Sequence, residues 1–517
     1  MILNSERATT EKGGLHRGNR FETLLPMTNE TSKKSAAEET GGAVLRAAPL
    51  TPSSGGLLLL ALALLLGLIR FVRLGEWSLW IDEVLTLADY RHRLDAGVIG
   101  NSLGYRLVRW GVELCGGRAD EFGLRFLPAC VGYAMIPTVF LVLRPLAGGR
   151  RAGLCALVLA ASSWHLFWSQ NARFYTFAQW TSFIGIALVL RAYLQGGTLR
   201  AMLGFAIAGG AAMFHPSAAL ALPVLVLMPF VAKLFAIDLA PDARRSGLLL
   251  VGVSLIGSVF AFSKVLATWG EYAEVKSLAS PVSLLLTSGF YITPLVGGLA
   301  LVGALSLILR RDSFGRLALC LVIGAFVLAL VVSLKLRVVA QYIFFLQPWI
   351  ILLCCWPLAQ ENEDSRESGG RLLHNGVAFV LVVSGLVSCL LYMTKRMGER
   401  PRWREAYQFV AEQAEGADGI FGMGAPIGEY YLAPETSDFR RPQRVVWFDS
   451  YRPRLAEKWS KFDRKVWFVI HPKWFEDWPR ETADQVRGYL ARECRLAASF
   501  PLNADTRDLS LFVYVRD

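Results

Sequence analysis

Residues 55–74 read GGLLLLALALLLGLIRFVRL. This run decides the fold class, because about 20 apolar residues at 1.5 Å rise each cross the hydrocarbon core of a bilayer as one helix. It is not a cleavable signal peptide: a polar stretch precedes it and no small-residue cleavage site follows. The preceding stretch, with TTEKGG and TNETSKKSAAEETGG, is rich in Ser, Thr, Glu and Lys and poor in aromatics. Residues 1–54 are therefore expected to be a disordered cytoplasmic tail.

Further runs of spanning length begin near Gly123, Ala152, Tyr175, Ala201, Ser217, Gly247, Val282, Arg316, Val338 and Asn375, which makes about eleven. The 282–309 run accommodates either one long span or a re-entrant piece followed by a span. Composition agrees: 54% of residues are hydrophobic and only 19% charged, against about a quarter charged in soluble domains. The expected fold class is an α-helical polytopic membrane protein. Residues 55–394 form the membrane domain, with a folded first loop over 75–122.

Basic residues orient the chain. Arg144, Arg150 and Arg151 share one loop, Arg191 and Arg200 another, Lys233, Arg244 and Arg245 a third, and Arg310, Arg311 and Arg316 a fourth. These are alternate loops, so they share one side, the cytoplasm. The loops 75–122, 169–174, 269–281 and 335–337 then lie outside, as does the C-terminal end after an odd number of spans. A cell membrane location follows. The net charge of +12 calls for no nucleic acid, because anionic membrane lipid neutralises basic cytoplasmic loops. Six of the eight cysteines (Cys130, Cys155, Cys320, Cys354, Cys355 and Cys389) lie in apolar runs and read as small core residues. Only Cys115 and Cys494 fall in outer segments, and spacing alone does not make them a pair.

Residues 395–517 change character. Trp403 to Glu415 has helical spacing, with Tyr407, Val410 and Ala414 on one face. GIFGM, RVVWF, KVWFVI and LSLFVYV read as buried strands, and Thr482 to Glu493 as a helix between the last two. This alternation predicts a small extracytoplasmic α/β domain. It contains no GxGxxG or GxxxxGK[ST] motif, so no nucleotide is assigned.

The first loop opens with WSLWIDEVLTL over 77–87. Its tryptophans suit the membrane interface. Asp82 and Glu83 are neighbours, and on a helix neighbours point about 100° apart, so only one can aim squarely at a given site. In LGYRLVRWGVELC, Leu103, Leu107, Trp110 and Leu114 form one face and Arg106, Arg109 and Glu113 another, the pattern of a helix lying in the interface. Asp82 would then sit at headgroup level, where a lipid-linked substrate presents its phosphate. Plainer readings stand beside these. Asp82 also fits a helix N-cap, Arg125 and Arg173 fit cations snorkelling to the interface, and His165 and His215 fit hydrogen-bonded core residues.

These residues, together with ADEFGLRFLPACVGYAMIPTVFLVLRPLAGGRRAGLCALVLAASSWHLFWSQNARFYTF, resemble the GT-C glycosyltransferases, in particular the protein O-mannosyltransferase and aminoarabinose transferase group (glycosyltransferase family 39, RgtA-B-C-D-like). The likeness is dense over about 75–195. WREAYQFV, after the last span, resembles the start of that group's outer domain. The resemblance implies a GT-C-like membrane fold and transfer of a hexose or pentose from a polyprenyl-phosphate donor to a hydroxyl acceptor on the outer face, with inversion. The acceptor would be a protein, a lipid-linked glycan or a lipid A-type headgroup. By the same resemblance Asp82 is the base, Glu83 orients the loop or acceptor, and Arg173, then Arg125, bind the donor phosphate, with Tyr175 on phosphate or sugar.

Two departures stand out. Gly100 to Tyr105 (GNSLGY, with Asn101) replaces a His-Pro-Pro or Lys-Pro-Pro-like stretch, and Gln341-Tyr342 replaces Arg-Tyr, with Lys335 and Arg337 near enough in sequence to supply the charge. Glu121, Gln170 and His165 complete the set of candidate substrate contacts. No metal-ligand spacing is visible and no cofactor is assigned, although Asp82 and Glu83 form a pair able to hold a divalent ion. Two other functions are weighed. A lipid or solute transporter would place charges deep in the spans, where Lys264 is the clearest candidate. A catalytically degenerate relative would bind polyprenyl lipid without turning it over.

Overall fold

The computed structural model describes residues 54–92, 102–275, 280–359, 368–434, 443–448, 464–504 and 507–517. Contacts divide the chain at residue 46/47, and every described residue belongs to the second unit. The expected N-terminal tail, Asn101 and the side chain of Lys264 lie outside what is described.

Each apolar run expected to span becomes a helix or a helix pair. Ser54–Gly67 (α1) runs on as a 3-10 turn to Phe71. Ile81–His92 (α2) and Ser102–Leu114 (α3) form the first loop. Then come Glu121–Ala147 (α4), Gly149–Ala160 (α5), Ser163–Ser169 (α6), Tyr175–Gln195 (α7), Thr198–Gly210 (α8) and Ala221–Val231 (α9). Ala243–Val275 (α10), Pro281–Ile292 (α11), Pro294–Leu309 (α12), Ser313–Ser333 (α13), Gln347–Cys355 (α14) and Ser368–Met393 (α15) complete the membrane domain.

Six single helices are long and apolar enough to cross a membrane, or eight if each bent pair counts as one span. Two more apolar helices, Thr198–Met213 and Ala340–Cys355, are shorter. Counted by length among the described residues, the spans number fewer than the eleven runs in the sequence, with two runs bent and two short. One break is local capping: Ser162 Oγ accepts the His165 amide at 3.3 Å, which restarts the helix after a 63° bend between α5 and α6. At the other, α11 and α12 meet at 98° around Thr293, whose φ of 65° is unusual for a β-branched residue.

On α3 the apolar face expected to lie in the membrane interface is not the face that packs on the protein. Gly104, Val108, Gly111 and Val112 are buried, whereas Trp110 and Leu114 are exposed. The reason is close approach: a Cβ on Gly111 would lie 2.6 Å from Leu127 Cβ, and one on Gly104 would lie 2.5 Å from the Phe174 ring. The exposed apolar side chains are left for the membrane surface.

The C-terminal part contains Trp403–Gln413 (α16), Gly419–Gly422 (β1), Ala425–Leu432 (α17), Val446–Trp447 (β2), Val466–Ile470 (β3) and Arg480–Glu493 (α18). It ends with Arg495–Phe500 (β4), Asn503–Ala504 (β5), Arg507–Asp508 (β6) and Leu511–Arg516 (β7). The main sheet has the order β2-β1-β3-β7-β4. β1 pairs in parallel with β2 and β3, while β7 runs antiparallel to β3 and β4. A small α/β domain is present as expected, with β4 as a strand the apolar pattern did not mark. All eight cysteines are free, Cys115 and Cys494 included.

One apolar core joins the first loop to this domain. Leu79, Val84 and Leu87 pack in the same buried cluster as Phe174, Trp403, Tyr407 and Val513. The first loop and the C-terminal domain therefore lie at the same end of the membrane helices, and the candidate site lies where they meet.

Candidate active site at the first loop

Asp82 and Glu83 open α2, and their surroundings are opposite. Glu83 is fully buried. Its Oε1 accepts from Arg125 Nε at 2.7 Å and from the Ala172 amide at 2.9 Å, and its Oε2 accepts from Arg125 Nη2 at 2.8 Å and from the Trp80 amide at 3.3 Å. Arg400 Nε lies 3.4 Å from the same Oε2. Burial pushes the Glu83 carboxyl up, but the Arg125 and Arg400 guanidiniums and these hydrogen bonds outweigh it and hold it below the usual carboxylate range. One carboxylate thus ties together α2, α4, the turn before α7 and the segment after α15.

Arg125 completes that knot. Beyond Glu83 it donates to the carbonyls of Leu74 (3.2 Å), Trp77 (3.0 Å) and Ser78 (3.0 Å). A guanidinium carries five N–H groups, and all are engaged, so none is left for a ligand. The role this geometry gives Arg125 is to fix the loop and Glu83.

The Asp82 carboxylate, half-buried, takes no hydrogen bond or ion pair from the described residues. Its backbone carbonyl accepts from Thr86 Oγ1 at 3.0 Å and from Arg173 Nη1 at 3.4 Å. It is not the N-cap of α2, since it lies inside the helix. Arg173 also donates to Thr86 Oγ1 at 3.3 Å and keeps a buried Nε without a partner. Burial works against the Arg173 charge, and the nearby Asp82 carboxylate, with Tyr105 and Tyr175, more than restores it.

The remaining candidates fall into distinct places. Tyr175, His215 and Tyr342 stack in a column, with ring centroids 4.6 Å apart between the first two and 5.2 Å between the last two. Gln341 belongs to the same 3-10 turn as Tyr342, and Lys335 and Arg337 are exposed on the stretch before it. Gln170 is buried; its amide donates to the carbonyls of Arg70 (3.1 Å) and Val72 (2.7 Å), and its oxygen accepts from Tyr392 at 3.1 Å. His165 is buried too, and its Nδ1 accepts from Arg70 Nη2 at 2.8 Å. Because Arg only donates, that places the imidazole proton on Nε2. Glu121 anchors the C-terminal domain: it accepts from Arg404 at 2.6 Å and from Tyr430 and Tyr431, each at 3.1 Å.

Several residues the motif did not mark also belong here. Arg70, Asn171 and Arg400 are buried beside it. Arg507 reaches in from β6, donating to Tyr291 Oη at 2.9 Å and pairing with Glu399. Arg400 stands in GERPRWREAY directly after the last span, where charge density was the one available signal. No group of three or more His, Cys, Asp or Glu side chains gathers to hold a metal among the described residues, and both Glu83 oxygens are taken up by N–H donors.

The fold is similar to that of solved proteins. ArnT from Cupriavidus metallidurans in its apo state superposes with a TM-score of 0.53 at 17% identity, covering 89% of this chain and 97% of that one. The same protein bound to undecaprenyl phosphate gives a TM-score of 0.54 at 17% identity, covering 90% and 98%. The chain has the GT-C fold. An oligosaccharyltransferase from Archaeoglobus fulgidus is looser, with a TM-score of 0.49, 12% identity and coverage of 81% and 70%. No family profile and no curated protein matches the chain. On this GT-C fold the carboxylate pair, Arg173 and Arg400 occupy one site between the membrane helices and the outer domain.

Proposed function

We propose that this protein is a membrane glycosyltransferase that moves a sugar from a polyprenyl-phosphate donor to an acceptor hydroxyl, with Asp82 as the general base. The observation that carries this reading is the division of labour in the carboxylate pair: Glu83 is locked by Arg125, while Asp82 is half-buried near Arg173 and takes no hydrogen bond from the described residues. The GT-C fold supports it, as does a structural neighbour solved with undecaprenyl phosphate.

The chemistry follows from those positions. Asp82 takes the acceptor proton as the hydroxyl oxygen bonds to the anomeric carbon. The bond from that carbon to the phosphate oxygen breaks on the opposite face, which inverts the centre, and its electron pair stays on the phosphate. The lipid phosphate then carries one more negative charge, and Arg173, with its unpartnered Nε, stabilises it. Tyr175 lies at the start of the next helix, near enough in sequence to contact donor or sugar.

The same reading puts the protein in the cell membrane, with the first loop and C-terminal domain on the outer face. The acceptor approaches from that side, as a protein or a lipid-linked glycan. Basic loops on the other side support this orientation.

The test is transfer of labelled sugar from a panel of polyprenyl-phosphate donors by membranes containing the protein. Transfer from one donor would support the reading and name the sugar. No transfer from any donor by folded protein would favour the lipid-binding relative that has lost the chemistry.

A further inference from the structure

We infer that Arg400, from the segment joining the last span to the C-terminal domain, grips the phosphate of a polyprenyl lipid at this site. The inference deepens the glycosyltransferase reading and rests on it for the site.

Arg400 is only 3% exposed. An arginine stays charged at any working pH, so a buried one needs an anion. Its nearest carboxylate is already taken. Arg125 holds Glu83 through two hydrogen bonds of 2.7 and 2.8 Å, while Arg400 reaches it only at 3.4 Å. The adjacent Glu399 pairs with Arg507 instead. Two guanidiniums thus share one carboxylate, and the second is undercompensated.

The donors tell the same story. Arg400 Nη1 donates to the Gly398 carbonyl at 3.3 Å, but Nε and Nη2 are buried without a hydrogen-bond partner. Leaving such groups buried and unpaired is costly, because each has lost its water without gaining a partner. Asn171 Nδ2 is a second buried donor without a partner, and the Asn171 side chain accepts from Trp80 Nε1 at 3.5 Å. Trp80 in turn lies 5.6 Å from the Arg400 guanidinium. The surplus is of donors, and a phosphate is an acceptor-rich anion that suits a guanidinium fork.

Position is fixed as well. The guanidinium sits over the Phe167 ring at 4.3 Å. The chain reaches it through three successive residues with positive φ: Met397 (49°), Gly398 (66°) and Glu399 (53°). Such conformations are unfavourable for residues other than glycine and gather where a side chain must be held in place. A Cβ at Gly398 would lie 2.6 Å from the Trp77 ring, which fixes this turn against the first loop. The cation is therefore held in the same knot as Glu83, the sequence neighbour of Asp82.

The experiment uses purified full-length protein and measures affinity for a polyprenyl phosphate against the matching polyprenol, in wild type, Arg400→Gln and Arg400→Lys. Wild type is expected to prefer the phosphate. Arg400→Gln should weaken phosphate-lipid binding by roughly 30-fold or more, as for loss of a charge-assisted fork, while polyprenol binding stays put. Arg400→Lys should recover part of the loss, because it keeps the charge without the fork. Equal loss for both lipids, or no loss for either, would overturn the inference and leave Arg400 as a strut for Glu83. Inorganic phosphate competing as well as the lipid would also overturn it. Phosphate-selective binding that depends on Arg400, with no sugar transfer from any donor, would sink the enzyme reading and leave this inference standing.

Discussion

Arg125 holds Glu83 through two parallel hydrogen bonds of 2.7 and 2.8 Å, both residues fully buried, and its other N–H groups close on Leu74, Trp77 and Ser78. The neighbouring carboxylate, Asp82, is outside that knot. The pair therefore separates a residue that builds the site from one available to work in it.

Stability should separate the two in the same way. Breaking a buried pair by removing one partner typically costs about 3–5 kcal/mol. Glu83→Gln is expected to lower the unfolding temperature of the detergent-solubilised protein markedly, and Asp82→Asn to leave it nearly unchanged. Equal destabilisation by both would mean that Asp82 is structural too.

Acid should act on the C-terminal domain through His471. Burial pushes this imidazole down from 6.5 to about 4, and its Nδ1 has no partner. Between those values the unfolded chain binds a proton that the folded chain refuses. The His471 contribution is thus fully present above pH 6.5 and is lost as pH falls towards about 4, to the extent of about 3 kcal/mol. Unfolding measured against pH should show a shallower decline over that window in His471→Gln than in wild type. Identical slopes would contradict this.

Much of the fold is legible because a bilayer is a demanding solvent: only long apolar runs satisfy it, and these are visible from Leu57 onwards. The breaks are less visible. Ser162 and Thr293 interrupt apolar sequence with single hydroxyl caps, which a hydropathy window averages away. Strand β4 carries no apolar signature, because RLAASF is an edge strand with mixed exposure rather than an apolar run. In the site, the acidic pair and Arg173 stand in a recognisable motif. Arg400 does not, and a charge beside a span looks the same in sequence whether it snorkels to the interface or is buried. Only the tertiary contact with Glu83 and Trp80 distinguishes these cases.

The docking of the C-terminal domain should depend on Glu121, which gathers Arg404, Tyr430 and Tyr431. Glu121→Gln removes the charge from this triple acceptor and should weaken the contact by about 1–3 kcal/mol. Hydrogen exchange should then rise in α17 and in the segment 75–80 facing it. Unchanged protection in both would place the hold elsewhere, in the shared apolar core.

Orientation can be read on intact cells. A tag after Asp517 and a labelled cysteine introduced at Arg118, which is exposed in the first loop, are both expected to react with an impermeant reagent. Labelling of both only after permeabilisation would reverse the assignment of sides. Labelling of one without the other would conflict with the shared core that joins them.

The most direct measurement compares wild type with Asp82→Asn in the transfer of labelled sugar from the donor the protein accepts, with polyprenyl-phosphate binding followed in the same preparations. If Asp82 is the base, transfer should fall by roughly 10²- to 10⁴-fold while lipid binding and folding are retained. Transfer at the wild-type rate by Asp82→Asn would remove Asp82 from the chemistry.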